Sequence, residues 1–79
     1  MRKSTHTRQY QKLREALTAA REAAGLSQHE LARRLGRPQS FVSKCESGER
    51  RLDVVELVHI FKLLRADPVE FVKALSRDF

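Results

Sequence analysis

The segment Ser27–Gly48 constrains the fold more than any other, because its residues predict two short helices separated by a sharp turn. Ser27 can cap the first helix, and Glu30, three residues later, completes a capping box. Apolar residues then recur at helical spacing and give this helix one apolar face: Leu31, Ala32 and Leu35. Helices this short are not stable alone, so the pair must dock on the rest of the chain.

Glycine and proline mark the turn and the second helix. Gly36 can end the first helix with a positive φ, Pro38 has φ pre-set for a first helical turn, and Gly48 can close the second helix. We therefore expect the second helix at 38–47. At about 100° per residue, one side of it is apolar and is expected to face the core: Pro38, Phe41, Val42 and Cys45.

The other side of this second helix is short and polar. Glutamine pairs well with adenine and lysine with guanine at base edges in a DNA major groove. The side chains that we expect to read bases are Gln39, Ser40, Lys44 and, more weakly, Ser43. The alternative is a helix face that is merely solvated.

The spacing of these residues resembles the Cro/repressor (XRE-type) helix-turn-helix family over residues 13–75. The motifs that carry the resemblance are Leu26-Ser27-Gln28, Glu30-Leu31-Ala32, Leu35-Gly36, Phe41-Val42-Ser43-Lys44 and Glu46-Ser47-Gly48-Glu49-Arg50. The resemblance implies an all-α, compact five-helix, lambda-repressor-like domain that places the Pro38–Ser47 helix in the major groove.

Helical periodicity and capping signals divide the chain of 79 residues into a tail, 1–8, and one domain, 9–79. The tail is basic and lacks apolar periodicity, so we expect a mobile end rather than an arm along DNA. The predicted helices lie near 9–24, 28–35, 38–47, 54–65 and 68–76. The inner faces are predicted to hold Leu13, Ala16, Leu17, Ala20 and Ala24 in the first helix, and Val54, Leu57, Ile60, Phe61 and Leu64 in the fourth.

Basic side chains are concentrated in the first two thirds of the chain. Residues 1–51 hold 12 basic and 5 acidic side chains, a net charge of +7, whereas residues 52–79 hold 4 and 5, a net charge of −1. A basic half beside a near-neutral half suits a polyanion-binding face next to an assembly face. The alternative is a basic surface with no partner.

The resemblance also implies roles for individual residues. It implies that Arg21 pairs with Glu46 as a structural clamp, although each could simply be solvated. It implies DNA phosphate contacts, which we assign to Gln28, Arg37, Arg50 and Arg51; for Gln28 the alternative is helix propensity alone. The chain departs from the common family pattern at two positions: Leu52 stands where proline is frequent, and Arg65 where glycine is frequent.

The fourth helix is apolar most of the way round, which indicates burial on more than one side. We expect a homodimer through the fourth and fifth helices, with the interface residues Val55, Val58, His59 and Leu63. The alternative is that these apolar side chains pack against the fifth helix within one monomer.

No catalytic or metal-binding pattern is present in the sequence, so we expect no enzyme activity, no metal and no cofactor. His6, His29 and His59 are scattered, and Cys45, the single cysteine, is expected to be a buried thiol. There is no apolar run near 18 residues and no signal peptide, so we expect a cytoplasmic protein with no membrane contact.

The sequence thus predicts a sequence-specific regulator that binds double-stranded DNA, most simply a repressor acting as a dimer on a palindromic operator. Two alternatives stay open. One is a protein-interaction module, such as the antitoxin half of a toxin–antitoxin pair. The other is a non-specific nucleic-acid binder that uses only its charge.

Overall fold

A computed structural model describes residues 7–79, which form five α-helices and no strand. The helices are α1 (Arg8–Ala23), α2 (Gln28–Leu35), α3 (Gln39–Ser47), α4 (Val54–Leu63) and α5 (Pro68–Ser76). The predicted all-α, five-helix fold is confirmed.

The first helix begins one residue earlier than predicted. The hydroxyl of Thr7 accepts a hydrogen bond from the N–H of Tyr10 at 3.1 Å and caps α1, so Arg8 belongs to the helix and not to a mobile tail. The remainder of the predicted tail, 1–6, lies outside the described residues, as does His6.

Two capping boxes start helices, one at Ser27 as predicted above and one at Asp53, where the residue types at 53 and 56 suit the same arrangement. The N–H of Glu30 donates to the Ser27 hydroxyl at 3.0 Å, and the Ser27 N–H donates back to the Glu30 carboxylate at 3.0 Å. At the start of α4, Asp53 and Glu56 exchange the same pair of bonds at 2.7 and 3.1 Å. Each box satisfies two N–H groups that a helix start leaves without intrahelical partners.

Pro38 caps α3 rather than occupying its first helical position. Its φ of −64° suits either place, but its ψ of 154° is extended, and its carbonyl accepts the N–H of Phe41 at 3.0 Å. The helix therefore begins at Gln39, and Pro38 is exposed instead of facing the core. Gly36 takes the left-handed conformation expected of it, with φ 69°, and sets the turn between α2 and α3.

The core fills the space between α1, the α2–α3 pair and α4. Its most deeply buried side chains come from three helices: Leu17, Leu31, Val42 and Cys45. Two residues predicted to be inside, Ala24 and Val54, are exposed. Ala24 lies beyond the last turn of α1, and Val54 is the first residue of α4, so neither reaches the packed centre.

Tyr10 adds a contact that the periodicity did not reveal. Its ring is buried, and its hydroxyl accepts the backbone N–H of Leu52 at 2.7 Å, which ties the loop after α3 to α1. Proline has no N–H, so a proline at position 52 would remove this bond. Leucine at position 52, where the family pattern often has proline, therefore allows the hydrogen bond that joins this loop to α1.

The connection from α4 to α5 places an arginine in a conformation that favours glycine. The helix ends at Leu63, two residues earlier than predicted, and Arg65 has φ 60°, the sole positive φ of a non-glycine residue within 7–79. Its N–H donates to the Lys62 carbonyl at 3.0 Å, and the Ala66 N–H donates to the Phe61 carbonyl at 2.8 Å. Arg65 therefore adopts the conformation that glycine takes most easily.

We expect Arg65→Gly to stabilise the domain by about 1 kcal/mol, because glycine avoids the steric cost of a left-handed residue. Urea denaturation measures the change, and Arg65→Ala is the matched control that removes the same long side chain but keeps the Cβ. Equal stability of the glycine and alanine variants would contradict the prediction.

Candidate nucleic-acid interface

The α3 helix presents one apolar and one polar face. Phe41, Val42 and Cys45 are buried, and burial raises the pKa of the Cys45 thiol, so it is an inert part of the core. On the other face, Gln39, Ser40 and Lys44 are exposed and Ser43 is half-buried. The structure thus brings the four predicted base-reading residues together on one helix.

Ser43 is the least available of the four. Its hydroxyl donates to the carbonyl of Ser40 at 3.3 Å, within the same helix. A hydroxyl engaged in this way must rotate before it can donate to a base.

Arg21 and Glu46 meet in a bidentate ion pair that joins α1 to the end of α3. The Arg21 Nε lies 2.7 Å from Glu46 Oε2, and its Nη2 lies 3.1 Å from Oε1. The side chains are only 11% and 7% exposed. The hydrogen bonds to Glu46 raise the pKa of the Arg21 guanidinium, so Arg21 is charged at any ordinary pH.

The same pair also holds α2. Arg21 Nη1 donates to the carbonyl of Leu26 at 2.8 Å, just before α2 begins. Gln28, the first residue of α2, donates from Nε2 to Glu46 Oε1 at 2.9 Å. The Gln28 amide carries a second N–H, which this bond leaves for another acceptor.

Arg37 and Arg50 both lie against the ring of Phe41. Their guanidinium carbons are 3.9 and 4.8 Å from the ring centroid. Arg50 also donates from Nη1 and Nη2 to the two carboxylate oxygens of Glu56, both at 2.9 Å, and Arg37 lies 3.8 Å from Oε2. The hydrogen bonds from Arg50 hold the pKa of Glu56 below its usual range.

These contacts connect the loop after α3 to the start of α4. Glu56 serves both as the capping-box residue of α4 and as the partner of two arginines. The sequence signals only the capping role, because no helical spacing relates Glu56 to Arg37 or Arg50. As a result, two of the four predicted phosphate contacts already have an anionic partner within the protein.

Arg51 is the least engaged of the predicted phosphate contacts. It is exposed, and its guanidinium carbon lies 5.1 Å from the centroid of the Tyr10 ring. Arg50 donates a hydrogen bond to the main-chain carbonyl of Arg51 at 2.7 Å, and the Arg51 side chain takes no part in this bond. Within residues 7–79 the Arg51 guanidinium takes part in no hydrogen bond or ion pair, so it is available to an anion.

Arg14 also contacts α3, a contact that its residue type and position in the sequence did not predict. Its Nη1 donates to the carbonyl of Ser47 at 3.0 Å, at the last residue of the helix. A carbonyl acceptor on the main chain carries no sequence signature, so residue types alone could not reveal this contact.

The residues predicted for a dimer interface divide into two groups. Val55 and Val58 are 74% and 37% exposed, and His59 is exposed as well. Leu63 is half-buried and packs against the core. An apolar groove runs between α4 and α5 and includes Val58 of the predicted interface. Its exposed valines are Val54, Val58, Val69 and Val72.

The described part of the chain, residues 7–79, holds no group of three or more histidine, cysteine, aspartate or glutamate residues arranged to bind a metal. None of the helices in this part is long and apolar enough to span a bilayer.

Comparisons with known proteins agree with this geometry. A family model described as a helix-turn-helix domain matches residues 12–73. No curated protein sequence matches the chain. Among solved structures, the chain is similar to an XRE-family like protein from Pseudomonas syringae pv. tomato str. DC3000, with 49% identity and a TM-score of 0.84. That match covers 94% of this chain and 90% of the other.

The family model spans all of α2 and α3, the helices on which the candidate interface is built. The similar structure extends the agreement over nearly the whole chain at an identity high enough to indicate common descent. The chain therefore belongs to the XRE-type helix-turn-helix family of DNA-binding regulators.

Proposed function

We propose that the protein is a sequence-specific repressor that acts in the cytoplasm, binding as a dimer to a palindromic operator. The observation that carries this proposal is the exposed polar face of α3. The contacts of Glu46 with Arg21 and Gln28 hold this helix against α1 and α2. A helix that reads bases must be rigid as well as polar, because each hydrogen bond to a base edge tolerates little displacement.

Base reading is assigned to Gln39, Ser40 and Lys44, with Ser43 as a weaker contributor. Gln39 and Ser40 occupy the first turn of α3, and recognition helices contact bases mainly through their N-terminal residues. Lys44 extends the same exposed face by one turn. Glutamine can form a bidentate pair with adenine, and lysine can donate to guanine.

Phosphate contacts are assigned to Gln28, Arg37, Arg50 and Arg51. The second N–H of the Gln28 amide and the N-terminal end of α2 both suit an anion. Among the arginines, Arg51 has no ion-pair partner within residues 7–79, whereas Glu56 pairs with Arg50 and lies 3.8 Å from Arg37. We therefore expect Arg51 to contribute most to the salt dependence of binding.

Dimerisation is assigned to α4 and α5. The exposed valines of these helices include Val55 and Val58 of the predicted interface, where His59 is exposed as well. Leu63, the fourth predicted residue, packs α4 against the core. One recognition helix covers too few base pairs for useful selectivity, so a second copy is needed. A two-fold dimer places two α3 helices about 34 Å apart, on successive turns of one DNA face.

The exposed valines also favour a second candidate function. A surface of this kind suits a protein partner, as in the antitoxin half of a toxin–antitoxin pair. Such a partner is compatible with DNA binding, and the oligomeric state of the isolated protein separates the two uses of the surface.

We expect selection of bound duplexes from a random DNA pool at near-physiological salt to yield a sharp two-fold symmetric motif. On that motif, Gln39→Ala or Lys44→Ala should cost roughly 1–3 kcal/mol and relax the choice at one base pair. Arg51→Ala is the matched control: it should weaken binding to every sequence and reduce the salt slope by about 1. Equal losses on all sequences for Gln39→Ala and Lys44→Ala would contradict the assignment of base reading.

We expect Val58→Glu to convert a dimer into a folded monomer with lower operator affinity, because a buried, unpaired carboxylate opposes association. Sedimentation at micromolar concentration gives the oligomeric state. Ala74→Glu is the control: it adds the same charge at an exposed position of α5 that faces away from the groove between α4 and α5, and it should leave the dimer intact. A wild-type monomer that binds one non-palindromic half-site would refute the dimer.

A further inference from the structure

Arg14 makes a second attachment between α1 and the end of α3. The last four carbonyls of a helix have no partners within that helix. Here Arg14 Nη1 lies 3.0 Å from the Ser47 carbonyl and 3.5 Å from the Glu46 carbonyl, both in the last turn of α3. A cation at this end also complements the partial negative charge of the helix C-terminus.

The side chain of Arg14 also packs on the residue that ends α3. Gly48 has φ +86°, and a Cβ on it would lie 3.1 Å from Arg14 Cδ and 3.2 Å from Nη1. A side chain at position 48 would therefore push Arg14 away as well as strain the backbone. The Nε of Arg14 is buried and has no hydrogen-bond partner within residues 7–79, so burial of this side chain has a cost that its contacts with α3 must offset.

Arg14 and Arg21 are related by the geometry of α1. Seven residues make nearly two turns, so the two side chains lie within about 20° of each other around the helix. Arg21 holds the side chain of Glu46, whereas Arg14 holds the main chain of Glu46 and Ser47. Both arginines therefore attach the C-terminal end of α3 to α1, in addition to the packing of its buried side chains in the core.

We propose that Arg14 is a positioning residue for base reading, which sets the orientation of α3 through its C-terminal carbonyls. From Ser47 to Ser40 the helix is about 10 Å long, so a rotation of about 10° at its end moves Ser40 by roughly 2 Å. A hydrogen bond to a base edge does not survive such a displacement. This proposal rests on the proposed function, because it assigns Arg14 a part in sequence-specific binding.

The test compares Arg14→Met and Arg14→Lys with Arg8→Met, which removes one positive charge from an exposed position of the same helix. Residual dipolar couplings of the backbone amides give the orientation of α3 relative to α1 in the protein without DNA. Competition binding then gives the discrimination, meaning the ratio of affinities for the selected duplex and for the same duplex with one base pair changed.

We expect Arg14→Met to reorient α3 and to lose discrimination about tenfold, while Arg8→Met keeps both at the wild-type values. Arg14→Lys keeps the charge and one point of contact but lacks the flat guanidinium, so its discrimination should lie between those of Arg14→Met and the wild type. If Arg14→Met fails to fold, Arg14→Lys carries the test through the same two measurements.

Wild-type α3 orientation and discrimination in a folded Arg14→Met variant would overturn the proposal. The same result for Arg14→Lys, when the methionine variant does not fold, would also overturn it, because any cation would then suffice. Failure of the proposed function is distinct: the wild-type protein itself would show no discrimination, and the orientation of α3 would still be measurable without DNA.

Discussion

The carboxylate of Glu46 is the group on which the arrangement of the helices depends. It lies at the end of α3, accepts two hydrogen bonds from Arg21 of α1, and accepts a third from Gln28 at the start of α2. A buried carboxylate is tolerated only when its oxygens are satisfied, and here donors from α1 and α2 satisfy the carboxylate that α3 carries. Because α2 and α3 have only 8 and 9 residues, their stability comes from such contacts and from core packing rather than from helix propensity.

A second charged cluster holds the other side of α3. Phe41 projects from the first turn of the helix and lies against the guanidinium groups of Arg37 and Arg50, and Glu56 pairs with both. The two clusters together account for several of the arginines that make the first part of the chain so basic. Part of the positive charge is therefore used to fix α3, and the exposed remainder, such as Lys44 and Arg51, is available for the DNA contacts that we propose.

Local signals in the sequence predicted the five helices. The contacts that the sequence did not predict join residues that are not neighbours in the chain. Capping boxes at Ser27 and Asp53 and glycines at the helix ends act within a few residues, so their spacing can be read directly. Periodicity misplaced Ala24 and Val54, which lie at helix ends where the core no longer reaches. Tyr10 and Arg14 bind main-chain groups that lie 42 and 33 residues away, and residue types do not reveal such partners. Glu56 pairs with Arg50, six residues away, which is not a helical spacing.

A double-mutant cycle on Arg21 and Glu46, measured by urea denaturation, tests most directly whether this pair holds the helices together. We predict that Glu46→Ala costs roughly 3 kcal/mol, because it leaves the Arg21 guanidinium buried without its anionic partner. Arg21→Ala should cost a similar amount, and the double variant should cost clearly less than the sum, with a coupling energy of about 1–3 kcal/mol. Additive losses, with no coupling energy, would contradict the account.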